Sequence, residues 1–297
     1  DPLTGHTGDV NAVAVFTAPD GSPRLATTGD DGAVRIWNPA TGRQDGPPLT
    51  RDSRWLRAVA VFTAPDGSPR LATTSFNGRL RIWDPATGAQ VGDPLTGQTS
   101  LVGLVAVFTA PDGSPRLATA GYDGTVRIWN PATGAQVGDP LTKHTGDVNA
   151  VAAFTASDGL PRVATAGYDG TVRIWNPATG AQVGDPLAGH SYQVWAVSAF
   201  AAPDGSPRLA TASTFRSGPA GSVDGWLRIW NPATGTQVDV PLKRDIDQVW
   251  AMAVFTAPDG SPASPSPATT GRCGSGIPPP ARRSVTPSPA TPVGCRR

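Results

Sequence analysis

Arg35-Ile36-Trp37-Asn38-Pro39-Ala40-Thr41-Gly42 decides the fold, because this phrase, with Asn or Asp at its fourth position, returns four more times, with tryptophan at Trp83, Trp129, Trp175 and Trp230. The spacings are 46, 46, 46 and 55 residues, and a fixed period of this length marks a repeat array. Working outward from Trp37, one period holds four short β-type runs: Val10 to Phe16, Arg24 to Thr28, Ala33 to Trp37, and roughly Arg43 to Leu49. Turn chemistry separates them, in Ala18-Pro19-Asp20-Gly21-Ser22-Pro23, Asp30-Asp31-Gly32 and Asn38-Pro39-Ala40-Thr41-Gly42. Four strands per repeat make a blade rather than a helical hairpin. The composition agrees. Glutamate is absent and lysine occurs only at Lys143 and Lys243, so the residues of solvated helix faces are missing, while Val, Ile, Thr and Trp recur.

Such a period means a propeller or a solenoid, and the motif chemistry chooses between them. The sequence resembles the WD-repeat family, whose repeats carry a Gly-His pair, an aspartate in the turn before the third strand, and Trp-Asp at that strand's end. The Gly-His position falls at His6, Asp52, Gln98, His144, His190 and Asp245. The turn acid is Asp31, Asn77, Asp123, Asp169 and Asp224, and a hydroxyl stands at Thr27, Thr73, Thr119, Thr165 and Thr211. The resemblance covers residues 1 to about 262. It implies an all-β propeller of four-stranded antiparallel blades, five complete plus a partial sixth, in an incomplete ring.

It also implies a hydrogen-bonded His, Thr, Asp, Trp chain within each blade. The first blade offers His6, Thr27, Asp31 and Trp37. The fourth offers His144, Thr165, Asp169 and Trp175, and the fifth His190, Thr211, Asp224 and Trp230. The third, with Thr119, Asp123 and Trp129, has Gln98 for histidine, and the second, with Asp52 and Asn77, departs further. Four of the five copies read Trp-Asn at the strand end; only Asp84 supplies the acid, at a turn position where Asn serves equally well.

Residues 263–297 break the pattern and read as a frameshifted, non-propeller tail. The phrase VRIWNPATG, written in GC-rich codons and read from its second nucleotide, gives CGSGIPPPA, the string at Cys273 to Ala281. The expected sixth tryptophan falls on Gly276 in the same register. Both cysteines, Cys273 and Cys295, lie here, so neither a disulfide framework nor a metal site is read from them. Charge divides at the same boundary: 19 Lys and Arg face 23 Asp through Pro262, and five arginines follow with no acid. The repeats carry no electrostatic footprint for nucleic acid. No apolar run approaches a membrane span, and the chain opens within a repeat, as a piece of something longer would. A cytoplasmic location is expected.

Catalytic groups should appear as singular departures from a repeat, and none does. The three histidines share one position in different blades, so hydrogen bonding is expected of them rather than metal ligation, and no cofactor is expected. The repeated Arg35, Arg81, Arg127, Arg173 and Arg228 are too regular for a site. A blade-to-blade salt bridge or a solvated strand position is expected of them.

Copies compared with one another differ on one face. The TAPDGSP and NPATG turns are nearly verbatim, whereas the segment after the Gly-His position changes: TGDVN at 7–11, SRWLR at 53–57, TSLVG at 99–103, TGDVN at 145–149, SYQVW at 191–195 and IDQVW at 246–250. The second-to-third strand turn varies too, and strand alternation places it on the same side. Four tryptophans beyond the repeat set, Trp55, Trp195, Trp226 and Trp250, belong here. With them stand Arg54, Arg57, Arg79, Arg216, Phe76, Phe215, Tyr122, Tyr168 and Tyr192, the residue types of interface hot spots. The expected function is non-catalytic binding of a protein or peptide, within a larger signalling or effector protein of a high-GC bacterium. Self-association through open blade edges is also expected. The alternatives are packing of these aromatics between blades or over the channel, a carbohydrate or small-ligand propeller and, third, a propeller enzyme.

Overall fold

The structure is a computed structural model that describes residues 3–50, 55–97, 102–217, 222–238, 242–244, 249–253 and 266–269. The first blade comprises β1 (Val10–Thr17), β2 (Pro23–Gly29), β3 (Ala33–Asn38), β4 (Arg43–Gln44) and β5 (Leu49–Thr50). The second comprises β6 (Leu56–Thr63), β7 (Pro69–Ser75), β8 (Leu80–Trp83) and β9 (Gln90–Leu95). The third has β10 (Val102–Thr109), β11 (Pro115–Gly121) and β12 (Val126–Trp129); the fourth has β13 (Val148–Thr155), β14 (Pro161–Gly167) and β15 (Val172–Trp175). The fifth holds β16 (Val194–Ala201), β17 (Pro207–Ser217), β18 (Ser222–Asn231), β19 (Thr236–Gln237) and β20 (Leu242–Arg244). A two-stranded sixth sheet pairs β21 (Val249–Ala253) with β22 (Ser266–Thr269). All pairings are antiparallel, and the assembly is the incomplete propeller expected.

Each blade begins with a hairpin whose turn is closed locally. In the first, Ala18 N–H donates to Ser22 O at 2.9 Å, Asp20 Oδ1 accepts from Ser22 N–H at 2.9 Å, and Gly21 adopts φ +80°. That left-handed conformation is why glycine recurs at the position. The fourth strand is weaker than the sequence run suggests. In the third blade it shrinks to bridges Val126↔Leu141 and Trp129↔Gln136, and in the fourth to Val172↔Leu187 and Trp175↔Gln182.

Blades stack through apolar faces. Leu56 of β6 packs with Phe16, Ala26, Val34, Ile36 and Leu49 of the preceding blade, and Val148 of β13 packs likewise with Phe108, Ala118, Val126, Ile128 and Leu141. Successive first strands meet in turn, β1 with β6, then β10, β13, β16 and β21. One irregularity recurs in each of them. The register slips between Val10 and Ala12, Leu56 and Ala58, Val102 and Leu104, Val148 and Ala150, Val194 and Ala196, and Val249 and Ala251. The extra residue of each bulge is therefore Asn11, Arg57, Gly103, Asn149, Trp195 or Trp250. A bulge re-aims the side chain it carries.

β22 lies inside the stretch read as a non-propeller tail, and among the described residues it pairs with β21 in a two-stranded sheet. Residues 270–297 lie outside the described residues.

Candidate functional site

The His, Thr, Asp, Trp chain forms in the first and fourth blades. In the fourth, Trp175 Nε1–H donates to Thr165 Oγ1 at 2.8 Å, Thr165 Oγ1 meets His144 Nε2 at 2.8 Å, and His144 Nδ1 lies 3.0 Å from Asp169 Oδ2. In the first, Trp37, Thr27, His6 and Asp31 repeat those contacts at 2.8, 2.8 and 2.9 Å. The indole can only donate, so the hydroxyl accepts from it and donates to Nε2, which leaves Nδ1–H for the carboxylate. Burial pushes the His144 imidazole below its ordinary value, and the Asp169 charge opposes this only in part. Burial also raises the Asp169 carboxyl. Hydrogen bonds from Thr171 and the nearby His144 outweigh it and leave the acid below its usual range. In the third blade Trp129 bonds Thr119 at 2.8 Å, and Asp123 accepts from Thr125; Gln98 lies outside the described residues, as do Asp52 and Asp245.

In the fifth blade His190 Nε2 meets Thr211 Oγ1 at 2.7 Å, Trp230 bonds the same hydroxyl at 2.7 Å, and Ser213 Oγ lies 2.7 Å from His190 Nδ1; the Asp224 side chain lies outside the described residues. The inserted residues lengthen β17 and β18, and Asp224 becomes a strand residue in register with Phe215. Where blades one and four have Gly29 and Gly167, a Cβ would stand 3.0 and 2.5 Å from the histidine Nδ1; Ser213 fills that place. Burial and then the Arg228 charge push the His190 pKa down to about 3.

Where a blade-to-blade salt bridge or a solvated strand position is expected, each repeated arginine bonds a glutamine of its own blade, and Arg35 also lies 3.6 Å from Asp31. Arg35 Nη1–H donates to Gln44 Oε1 at 2.8 Å, and Gln44 Nε2–H donates to Gly46 O at 2.7 Å. Arg127 with Gln136 and Arg173 with Gln182 repeat this at 2.8 Å, and Arg81 with Gln90 at 2.5 Å; Arg228 pairs with Gln237. The pair ties strand three to the short fourth strand. Glutamine nine residues after each arginine was a readable signal for it.

The variable segments lie side by side. Backbone N–H groups of Asp30, Phe76 and Tyr168, in the second-to-third strand turns, donate to the carbonyls of Asp9, Trp55 and Asp147 at 2.9, 3.0 and 2.8 Å. Trp55 and Phe76 meet edge-to-face, with centroids 5.1 Å apart. Trp55, Phe76, Tyr122, Tyr168 and Tyr192 are all exposed, and so are Arg57 and Arg79. Trp195 and Trp226 are half-buried. Arg54 lies outside the described residues, as do the side chains of Phe215, Arg216, Asp224 and Trp250. Two variable positions are structural, which sequence reasoning missed: Asn11 Nδ2–H donates to Leu56 O at 2.9 Å and Asn149 Nδ2–H to Val194 O at 3.2 Å, each clamping the next blade.

On the opposite side, beside the invariant turns, a groove of about 470 Å³ separates blades one and two, lined among others by Phe16, Arg24, Asp45, Pro48 and Trp83. Asp45 stands where Val137 and Val183 pack into the core of later blades, and it pairs instead with Arg24. Among the described residues no group of three or more His, Cys, Asp or Glu could hold a metal ion, and no helix is long and apolar enough to cross a membrane.

Residues 2–38, 95–130 and 136–176 match the family model described as WD domain, G-beta repeat. No curated protein matches the chain.

Proposed function

The chain is a WD-repeat protein, and from that premise we propose that it is a non-catalytic platform whose variable face binds a protein or peptide. Repeats of this family generally mediate contacts between proteins and are typically non-enzymatic. The observation that carries the reading to this face is that, among the described residues, the five exposed aromatic side chains, Trp55, Phe76, Tyr122, Tyr168 and Tyr192, belong to it. Exposed aromatics bring a large apolar area at little conformational cost, and arginines such as Arg57 and Arg79 add hydrogen-bonding forks.

The wider reading is a sensor or scaffold region of a larger bacterial signalling or effector protein, acting in the cytoplasm without nucleic acid or membrane. The stretch read as a frame slip, 263–297, takes no part in binding. Open blade edges give a second kind of contact, between copies of the chain.

Selection of random peptides on the whole chain tests the face. Selected peptides are expected to lose at least tenfold in affinity on Trp55→Ala or Tyr122→Ala, and to keep it on Asp66→Ala in an invariant turn. Equal binding to all three variants overturns the reading. Selection of sugars in preference to peptides from a mixed array would favour the carbohydrate alternative.

A further inference from the structure

Asp45 is a singular departure from the repeat. Its backbone N–H donates to Ile36 O at 2.8 Å, as those of Val137 and Val183 donate to Ile128 O and Ile174 O at 2.8 Å, so the three residues hold one place in their blades. Val137 and Val183 pack there against the apolar cluster of the joint, and the second and fifth blades also have valine, Val91 and Val238. Asp45 brings no apolar group to its joint. It pairs with Arg24 and lines the groove of about 470 Å³ between blades one and two, where the buried Phe16, Ile36, Leu49 and Trp83 form the apolar lining. The acid has moved along the chain: Pro47 stands where the later blades have the exposed Asp93, Asp139 and Asp185.

The groove holds more negative charge than its arginine answers. Arg24 Nη2 lies 3.5 Å from Asp20 Oδ2, its Nη1–H groups donate to Ser22 Oγ and Pro23 O, and its Nε–H donates to Asp45 Oδ2. Among the described residues the corresponding Arg116 and Arg162 each meet one carboxylate, Asp112 and Asp158. Asp45 Oδ1 has no partner among the described residues, and the side chain is 40% exposed. Arg43, the next cation along the strand, does not line the groove.

We propose that this groove is a second binding site, for a small free organic cation: a primary ammonium ion on a compact apolar body such as an aromatic ring. The body lies against Phe16, Ile36 and Trp83, where later blades place a valine, and the ammonium donates to Asp45 Oδ1. Such a charge-assisted bond is roughly twice as strong as a neutral one. The volume falls within the roughly 300–1,000 Å³ of small-molecule sites. An anion would face the carboxylates of Asp45 and Asp20, and a neutral ligand would forgo the charge-assisted bond.

Saturation-transfer NMR titration of the whole chain with 2-phenylethylammonium tests this, with the uncharged 2-phenylethanol and the anionic 3-phenylpropionate as companions. The ammonium is expected to bind at least tenfold more tightly than either companion. Asp45→Asn, which keeps the shape and removes the charge, is expected to weaken it at least tenfold, and Asp45→Val to abolish binding. Asp45→Val installs the residue of the four other blades and leaves Arg24 with Asp20, the arrangement of Arg116 with Asp112, so it is expected to melt no lower than the wild type. Failure of the ammonium to bind the wild type at millimolar concentration, equal binding of 2-phenylethanol, or binding that survives both Asp45 variants each overturns the proposal. Trp55→Ala is expected to leave ammonium binding unchanged, so this site and the variable face stand or fall separately.

Discussion

Trp175 donates its indole N–H to Thr165 Oγ1 at 2.8 Å, although the two residues lie on neighbouring strands and both are almost wholly buried. The same hydroxyl serves His144 Nε2 at 2.8 Å. One oxygen therefore satisfies two buried groups that otherwise have no water within reach, and it joins the loop before the first strand to strands two and three. The repeat keeps Thr and Trp at these positions in all five blades, and histidine in three, because an indole N–H or imidazole buried without the hydroxyl would be costly.

Thr165→Ala is expected to destabilise the protein by about 2–4 kcal/mol, since it orphans the indole N–H and an imidazole nitrogen together. Thr165→Ser, which keeps the hydroxyl, is expected to recover most of that. Urea unfolding followed by tryptophan fluorescence measures both. Equal losses in the two variants would show that the methyl group, not the hydroxyl, is what matters.

Asn149 reaches from the bulge of β13 to Val194 O in the next blade. Asn149→Ala is expected to cost about 1 kcal/mol, the net worth of such a hydrogen bond, and to raise hydrogen exchange at the β13–β16 joint without altering β10. Gly103 holds the same bulge position in the third blade, which shows that the clamp is additional to the joint and not its basis. Uniform exchange changes across all blades would contradict a local clamp.

Thr28 and Thr74 are fully buried, and their hydroxyls have no hydrogen-bond partner. Blades three to five place Ala120, Ala166 and Ala212 there. Thr28→Val and Thr74→Val keep the branched shape and replace the unpaired oxygen with a methyl group, so each is expected to stabilise the chain by about 1 kcal/mol. Thermal melts should show a rise for each. A fall in both would mean that the hydroxyls are satisfied by water.

The period, the four strands and the Thr–Trp contact were legible in the sequence because they repeat, and repetition separates a structural residue from a special one. What escaped was of two kinds. The Arg35–Gln44 bond repeats as regularly as Thr27–Trp37, but glutamine is a surface residue type and drew no attention. The bulge after Val10 depends on the register between strands, and periodicity along one strand does not report register. That is why the variable positions Asn11 and Asn149 looked like surface, whereas Trp55 and Phe76 are exposed. Ser213 in place of Gly29 and Gly167 was the readable signal that the fifth-blade histidine has a hydroxyl partner.

The buried His190, in contact with Ser213, gives the chain an acid-sensitive group. His190 titrates near 3 in the folded chain because it is buried and faces the Arg228 charge, and the unfolded value is about 6.5. Below about pH 6.5 the unfolded chain takes up a proton that the folded chain refuses. Stability from this group is therefore complete above pH 6.5 and falls continuously as the pH drops towards 3. Between pH 7 and pH 5 the loss from His190 is about 2 kcal/mol, and His144, also lowered, adds in the same direction. The aspartates Asp31 and Asp169, held below the usual carboxylate range, withdraw their contribution only at lower pH, below about 4, so they do not blur this window. His190→Gln removes the titration. It lowers stability at pH 7 through the lost contacts, but the further drop between pH 7 and pH 5 is expected to shrink by about 2 kcal/mol relative to the wild type. Urea unfolding at the two pH values gives the double difference directly, and an identical drop in both proteins would mean that His190 is protonated in the folded state and that Ser213 accepts rather than leaves it neutral.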